Sequence, residues 1–162
     1  MIKSPLIVVE GMVGCGKTTQ IEFIKQYLGI SKIDFSYGRE PGGERLSEKI
    51  RAILLDPENK DMVPMTEVFL FEAARAQFVE KKVKPVVESG KTFLTDRYDL
   101  STLAFQGYGH GVDIDTILIC NNYAVNGIHP SLALVLDIDN IKAALQRARE
   151  ASGKVGEADR FE

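Results

Sequence analysis

Residues 8–20 read VVEGMVGCGKTTQ. An apolar, strand-like run from Leu6 to Val9 breaks off into Gly11, Gly14 and Gly16, and then come Lys17, Thr18 and Thr19. So much glycine is a poor start for a helix unless the backbone needs angles closed to other residues. Residues 11–18, G-M-V-G-C-G-K-T, fit G-x-x-x-x-G-K-[ST] with a strand pattern before and a helix pattern after. The physical purpose of that spacing is anion capture. Glycines let successive N–H groups turn inward, and the following helix adds the positive end of its dipole. Lys17 supplies a point charge to the outer phosphates, and the Thr18 hydroxyl can ligate Mg²⁺. Gly11, Met12, Val13, Gly14, Cys15, Gly16, Lys17, Thr18 and Thr19 are therefore expected to cradle a nucleoside triphosphate. The competing reading is a glycine-rich turn that happens to carry a surface lysine.

Outward from this loop, strand and helix patterns alternate. Ile21, Ile24 and Leu28 recur at helical spacing and Gly29 follows as a stop. IDFSYG (33–38) reads as a short strand, and ERLSEKIRAILLD (44–56) places Leu46, Ile50, Ile53 and Leu54 on one helical face. Met65 to Glu88 is the longest helical pattern, interrupted by Pro85. KTFLTD and SLALVLDID read as buried strands, and Ile138 to Glu150 as the last helix. This alternation predicts a mainly parallel sheet with helices on both faces, joined by right-handed crossovers. REASGKVGEADR (149–160) is polar and reads as an exposed loop.

Composition narrows the class. At 162 residues the chain suits one domain, and a net charge of −3 offers no bulk attraction to nucleic acid or membrane. No apolar run approaches the roughly 20 residues of a membrane span. Two cysteines, Cys15 and Cys120, make no disulfide framework and read as a loop filler and a core residue. A cytoplasmic protein is expected.

Beyond the glycine loop, Asp96 ends a buried strand, where a second Mg²⁺-organising carboxylate is expected, and Arg97 beside it would face phosphate. As alternatives, Asp96 caps the next helix and Arg97 is a surface charge. Glu10 also ends a strand. Phe71 and Arg75 lie one helical turn apart, so a ring and a guanidinium share a face and could hold a planar base. Taken alone, Phe71 reads as core and Arg75 as a surface partner of Glu72. Arg147 and Arg149 are two apart and cannot face the same way on one helix.

The segments EGMVGCGKTTQ, REPGG, LFEAARAQ, TDRYDLSTLAFQG and RARE…ADRFE, in this order, resemble the bacterial thymidylate kinase family over essentially all 162 residues. That resemblance implies a P-loop three-layer α/β/α sandwich on a five-stranded parallel sheet. It also implies transfer of the ATP γ-phosphoryl group to dTMP with Mg²⁺, and a homodimer. It implies that Phe71 stacks on thymine and that Arg75 bonds the exocyclic oxygen. Arg97 holds the acceptor phosphate with Arg39 nearby, and Pro41, Ser101, Thr102, Phe105 and Gln106 line the nucleoside pocket. Gly14 falls where some relatives carry a catalytic arginine. The arginine is then expected from a lid at about 148–160, with Arg149 favoured over Arg147 and Arg160.

Three departures stand out. Val13 replaces the usual acidic residue, which leaves its role to another group such as Glu10. Phe105 replaces a common tyrosine. The family usually continues past Glu162 with a helix, a fifth strand and a final helix, so 162 residues are expected to supply one P-loop kinase domain with four strands. Rival readings are a deoxynucleoside kinase using Glu40 as base, a GTP-hydrolysing switch, for which no N-K-x-D motif is present, and a catalytically impaired nucleotide-binding fragment.

Overall fold

The computed structural model describes residues 5–152. Strand β1 (Leu6–Gly11) leads through the glycine loop into helix α1 (Lys17–Ile30), followed by β2 (Phe35–Arg39) and α2 (Arg45–Leu55). Then come α3 (Pro64–Phe78), α4 (Lys84–Glu88), β3 (Thr92–Asp96), α5 (Asp99–Thr102), α6 (Ile114–Val125), β4 (Leu132–Leu136) and α7 (Ile141–Ser152). The four described strands form one parallel sheet in the order β2-β3-β1-β4.

The apolar run of β1 is continuous because both of its faces are covered. Leu6 and Val8 pack with Phe78, Val79, Val83, Phe93 and Val125, contributed largely by α3, its continuation and α6. Ile7 and Val9 pack instead with Ile21 and Ile24 of α1 and Leu94 of β3. Helices on both faces of a parallel sheet are the expected three-layer architecture. Strand order changes direction beside β1, so the crevice outside the carboxyl ends of β1 and β3 is the topological switch point of the fold. Register aligns Val9, Asp96 and Arg39 there, and the chain is pinned by Arg97 N–H to Val9 O (3.0 Å) and Glu40 N–H to Asp96 O (2.9 Å).

Three expectations need correction. The long helix is interrupted as foreseen, but by a π-helical turn at Val79–Val83 that precedes Pro85, the second residue of α4. The wider turn accommodates a residue with no N–H to donate. In α2 the apolar stripe is buried only in part: Leu54 is buried beside Ser47, whereas Leu46 and Ile53 stand in solvent. Tertiary packing selected Ser47 because its hydroxyl donates to the Ala74 carbonyl of α3 at 2.8 Å. Finally, 149–152 are not loop, since α7 runs to Ser152, opened by Asn140 accepting from Ala143 N–H. The remainder of the expected lid, with Arg160, lies outside the described residues.

Gly38 of β2 is buried with no room for a side chain: a Cβ there would sit 2.6 Å from the Phe78 ring. Phe78 is itself fully buried and packed edge-on against Phe93, so the ring has nowhere to go. Gly38→Ala is expected to lower stability by about 1–3 kcal/mol, measured as the shift of a urea unfolding curve.

Candidate active site

The glycine loop is neither strand nor helix. β1 ends at Gly11 and α1 begins at Lys17, so residues 12–16 form the connecting turn. Gly16 caps α1 in the left-handed region, and no side chain caps the start of the helix. Lys17 is buried, and its Nζ donates to the carbonyls of Gly11 (2.8 Å) and Met12 (2.9 Å). The ammonium group is thus folded back over the loop it belongs to. Burial and the nearby Arg97 guanidinium lower its pKa, and Asp96 works against that shift.

Gly14 has a reason of its own. Its φ is +73°, and a Cβ there would overlap the Ala144 carbonyl oxygen of α7. No side chain, arginine included, fits at residue 14 while α7 lies against the loop. An arginine acting at this site has to come from elsewhere.

Beside the loop is a cavity of about 250 Å³, small for a ligand site. Val13 of the loop and Asp96 line it, together with Arg39, Pro41, Phe71, Arg75, Arg97, Ser101, Thr102, Phe105 and Gln106. Residues taken from four separate stretches of sequence therefore meet at one place. Arg97 is held in a left-handed conformation (φ 69°), which lets its N–H reach β1 while its guanidinium donates to Ser101 Oγ (3.1 Å) and stacks over Phe105 at 5.2 Å. Arg39 lies at the rim with a guanidinium N–H on both oxygens of Glu48.

Asp96 is half-buried, and its Oδ1 is enclosed with no hydrogen-bond partner. Burial raises its pKa, against the pull of Lys17 and Arg97. An unsatisfied carboxylate oxygen at a strand end, and the exposed Thr18 hydroxyl on α1, are hard donors of the kind Mg²⁺ prefers. Among the described residues no group of three or more His, Cys, Asp or Glu side chains could hold a metal ion. A Mg²⁺ here would depend on nucleotide phosphates and water for its remaining ligands.

Arg75 differs most from its expected role. It is 1% exposed, not a surface residue. All five of its N–H donors have acceptors: Nε–H to Glu40 Oε2 (2.8 Å), Nη1 to Glu72 Oε1 (2.6 Å) and Asn121 Oδ1, and Nη2 to the Tyr98 carbonyl (2.9 Å) and Thr102 Oγ1 (3.1 Å). A base oxygen can reach it only by displacing one of these. Glu10, unlike Arg75, does not line the cavity. Its carboxylate accepts from Tyr98 N–H (2.8 Å) and Ser101 Oγ (2.7 Å), so it braces the β3–α5 turn from behind.

Arg51 and Tyr98 also line the cavity, and sequence reasoning missed both. Arg51 donates to the Pro41 carbonyl at 2.8 Å. The only signal for it was its position on α2, four residues beyond the buried Ser47.

The sequence model of the family described as Thymidylate kinase matches residues 9–161. The chain belongs to the thymidylate kinase family. It is 43% identical over 159 residues to a thymidylate kinase of Geotalea uraniireducens, covering 96% of this chain and 74% of the relative. It is 45% identical over 161 residues to one from Pelotomaculum thermopropionicum, covering 99% and 73% respectively. Among solved structures, the thymidylate kinase of Ehrlichia chaffeensis superimposes with a TM-score of 0.76 at 31% identity, over 93% of this chain and 83% of that one. Membership in this family removes the reason for a Glu40 base, and the geometry agrees in that Glu40 is engaged by Arg75.

Glu40 carries a pH dependence of its own. Burial pushes it from the ordinary 4.5 up to about 7, outweighing the opposing pull of Arg75. A folded-state pKa above the unfolded one means that folding takes up a proton in this window. Its contribution to stability is therefore complete below about pH 4.5 and is lost as pH rises through 7. Glu40→Gln is expected to flatten the fall in unfolding free energy between pH 5 and pH 7.5, measured by urea denaturation. An unchanged slope would mean that Glu40 stays ionised beside Arg75.

Proposed function

We propose that this protein transfers the γ-phosphoryl group of ATP to dTMP, giving dTDP for dTTP synthesis. The carrying observation is that Val13 of the phosphate loop and Asp96 line the same small cavity as Phe71, Gln106 and four arginines. The loop takes the triphosphate, Gly11 to Thr19, and the cavity takes one mononucleotide. Phe71 stacks on the pyrimidine, with Phe105 and Pro41 closing the walls. Arg97 and Arg39 hold the acceptor phosphate, with Arg51 as a third cation beside them.

No general base is required. The second pKa of a monophosphate is near 6, so its oxygen is already anionic at neutral pH. The work that remains is to hold two anions in line and neutralise the charge that develops between them. Lys17 must leave the Gly11 and Met12 carbonyls to do this, and a phosphate oxygen is a stronger partner for an ammonium than either. Mg²⁺, held with the help of Thr18 and Asp96, would supply further charge neutralisation at the phosphates. The catalytic arginine comes from the C-terminal end of α7 or the segment beyond it, with Arg149 favoured over Arg147 and Arg160. The loop is expected to close as a lid that excludes water.

Incubation with ATP and either dTMP or thymidine tests this reading. ADP release with dTMP is the expected result; phosphorylation of thymidine alone would overturn it. Lys17→Ala is expected to reduce kcat by two or more orders of magnitude with the fold retained, as read by circular dichroism. Turnover near that of the parent would remove the phosphate role.

We also infer a cytoplasmic homodimer. Among the described residues no helix is long and apolar enough to cross a membrane. Helices α2, α3 and α6 pack in series, and each leaves large apolar groups in solvent: Ile53, Phe69 and Ile119, with Tyr123 at 81% exposure. An apolar surface of this kind is the usual mark of a protein interface. Light scattering on a sizing column is expected to give twice the chain mass, and Phe69→Glu with Tyr123→Glu a single chain.

A further inference from the structure

Resting on the dTMP reading, we infer that Glu67 is a positioning residue for base selection, because it fixes which end of the Gln106 amide faces the nucleotide cavity. Glu67 lies on α3, is 2% exposed, and belongs to none of the motifs that define the loop or the phosphate-binding end. Its Oε2 accepts from Gln106 Nε2 at 3.2 Å and lies 2.8 Å from His110 Nδ1. An ionised carboxylate has no proton to donate, so only the nitrogen end of the amide can meet it. The amide of Gln106 is planar. With its nitrogen directed to Glu67, its carbonyl is the end left for the cavity, which Gln106 lines.

The surroundings reinforce this assignment. Gln106 is 1% exposed and sits in a π-helical turn, Leu103–Gly109, whose widened backbone is closed by Val112 N–H to the Gln106 carbonyl (3.0 Å). Widened turns of this kind recur where a helix has to present a functional group. His110, at the end of the same turn, shares the Glu67 oxygen, so the middle and the C-terminal end of the turn are anchored to one carboxylate on α3. Two other polar side chains of the cavity, Ser101 and Arg75, are already engaged. The Ser101 hydroxyl accepts from Arg97 and donates to Glu10, and Arg75 has all its donors bonded, one of them to Thr102.

A carbonyl acceptor facing the base discriminates chemically. Thymine and uracil carry N3–H, a donor that pairs with it. Cytosine presents an N3 lone pair at the same place, which faces the carbonyl as acceptor to acceptor. Rejection of a ligand by an unpaired buried polar group is the stronger form of selectivity. Without Glu67 the amide is free to rotate and offer either end, and the distinction fades.

The test is the ratio of dCMP to dTMP dissociation constants, measured by titration calorimetry on the whole chain. The unaltered protein is expected to favour dTMP. Glu67→Gln, the same size but able to donate as well as accept, is expected to reduce that preference roughly tenfold, mainly through weaker dTMP binding. Gln106→Ala is expected to reduce it similarly, and adding Glu67→Gln to that background should cause no further loss. Preference retained in Glu67→Gln, or an equal further loss in the Gln106→Ala background, overturns the inference: Glu67 would then act on the fold and not through the amide. Should Glu67→Gln fail to fold, Glu67→Asp, which withdraws the carboxylate by one carbon, is read in the same way. An unaltered protein with no preference for dTMP over dCMP overturns both this inference and the dTMP reading beneath it. Selectivity that survives the Glu67 variants overturns this inference alone.

Discussion

A guanidinium group buried in the middle of a protein has to be surrounded by acceptors, and Arg75 is. Its partners come from the loop after β2 (Glu40), from its own helix (Glu72), from the turn after β3 (the Tyr98 carbonyl and Thr102) and from α6 (Asn121). Removal of any one would leave a buried N–H without an acceptor, which costs more than the bond itself is worth. The cavity keeps its shape because four segments distant in sequence converge on one side chain. Two carboxylate oxygens of the cluster, Glu40 Oε1 and Glu72 Oε2, are buried without partners. Burial holds the pKa values of both glutamates high.

A second layer of support lies behind the cavity wall. Glu10 ends β1 and fastens the β3–α5 turn through Tyr98 N–H and Ser101, and Ser101 in turn receives Arg97. Arg97 itself is held in a strained backbone conformation by its N–H bond to Val9. Its direction is settled by residues on two strands and a helix, so a charge that would otherwise sweep through solvent is fixed toward the site. This is preorganisation in a literal sense: the cationic group is placed by the fold and not by a ligand.

Much of this was legible in the chain itself. The G-x-x-x-x-G-K-T spacing, with an apolar run before it and helical periodicity after it, located the loop between β1 and α1, and alternating patterns identified a parallel sheet with helices on both faces. Order and spacing of REPGG, LFEAARAQ and DRYDLSTLAFQG named the residues that line the cavity. Arg51, Glu67 and His110 were not legible, because each lies on an ordinary helix or turn with no local pattern to separate it from solvated charge. The fates of Glu10 and Arg75 were hidden for the same reason. Their partners are tens of residues away, and only folding determines whether a side chain faces a cavity or the wall behind it.

Local backbone chemistry is written residue by residue, so the sequence alone determined the loop, the helices, the strands and the chemical character of the site. Which face of α2 is buried, which end of an amide meets the cavity, and whether an arginine arrives free or fully bonded are properties of pairs and clusters. They were decided by the tertiary structure, because a buried polar group takes its role from the neighbours that satisfy it, and those neighbours are chosen only when the chain closes on itself.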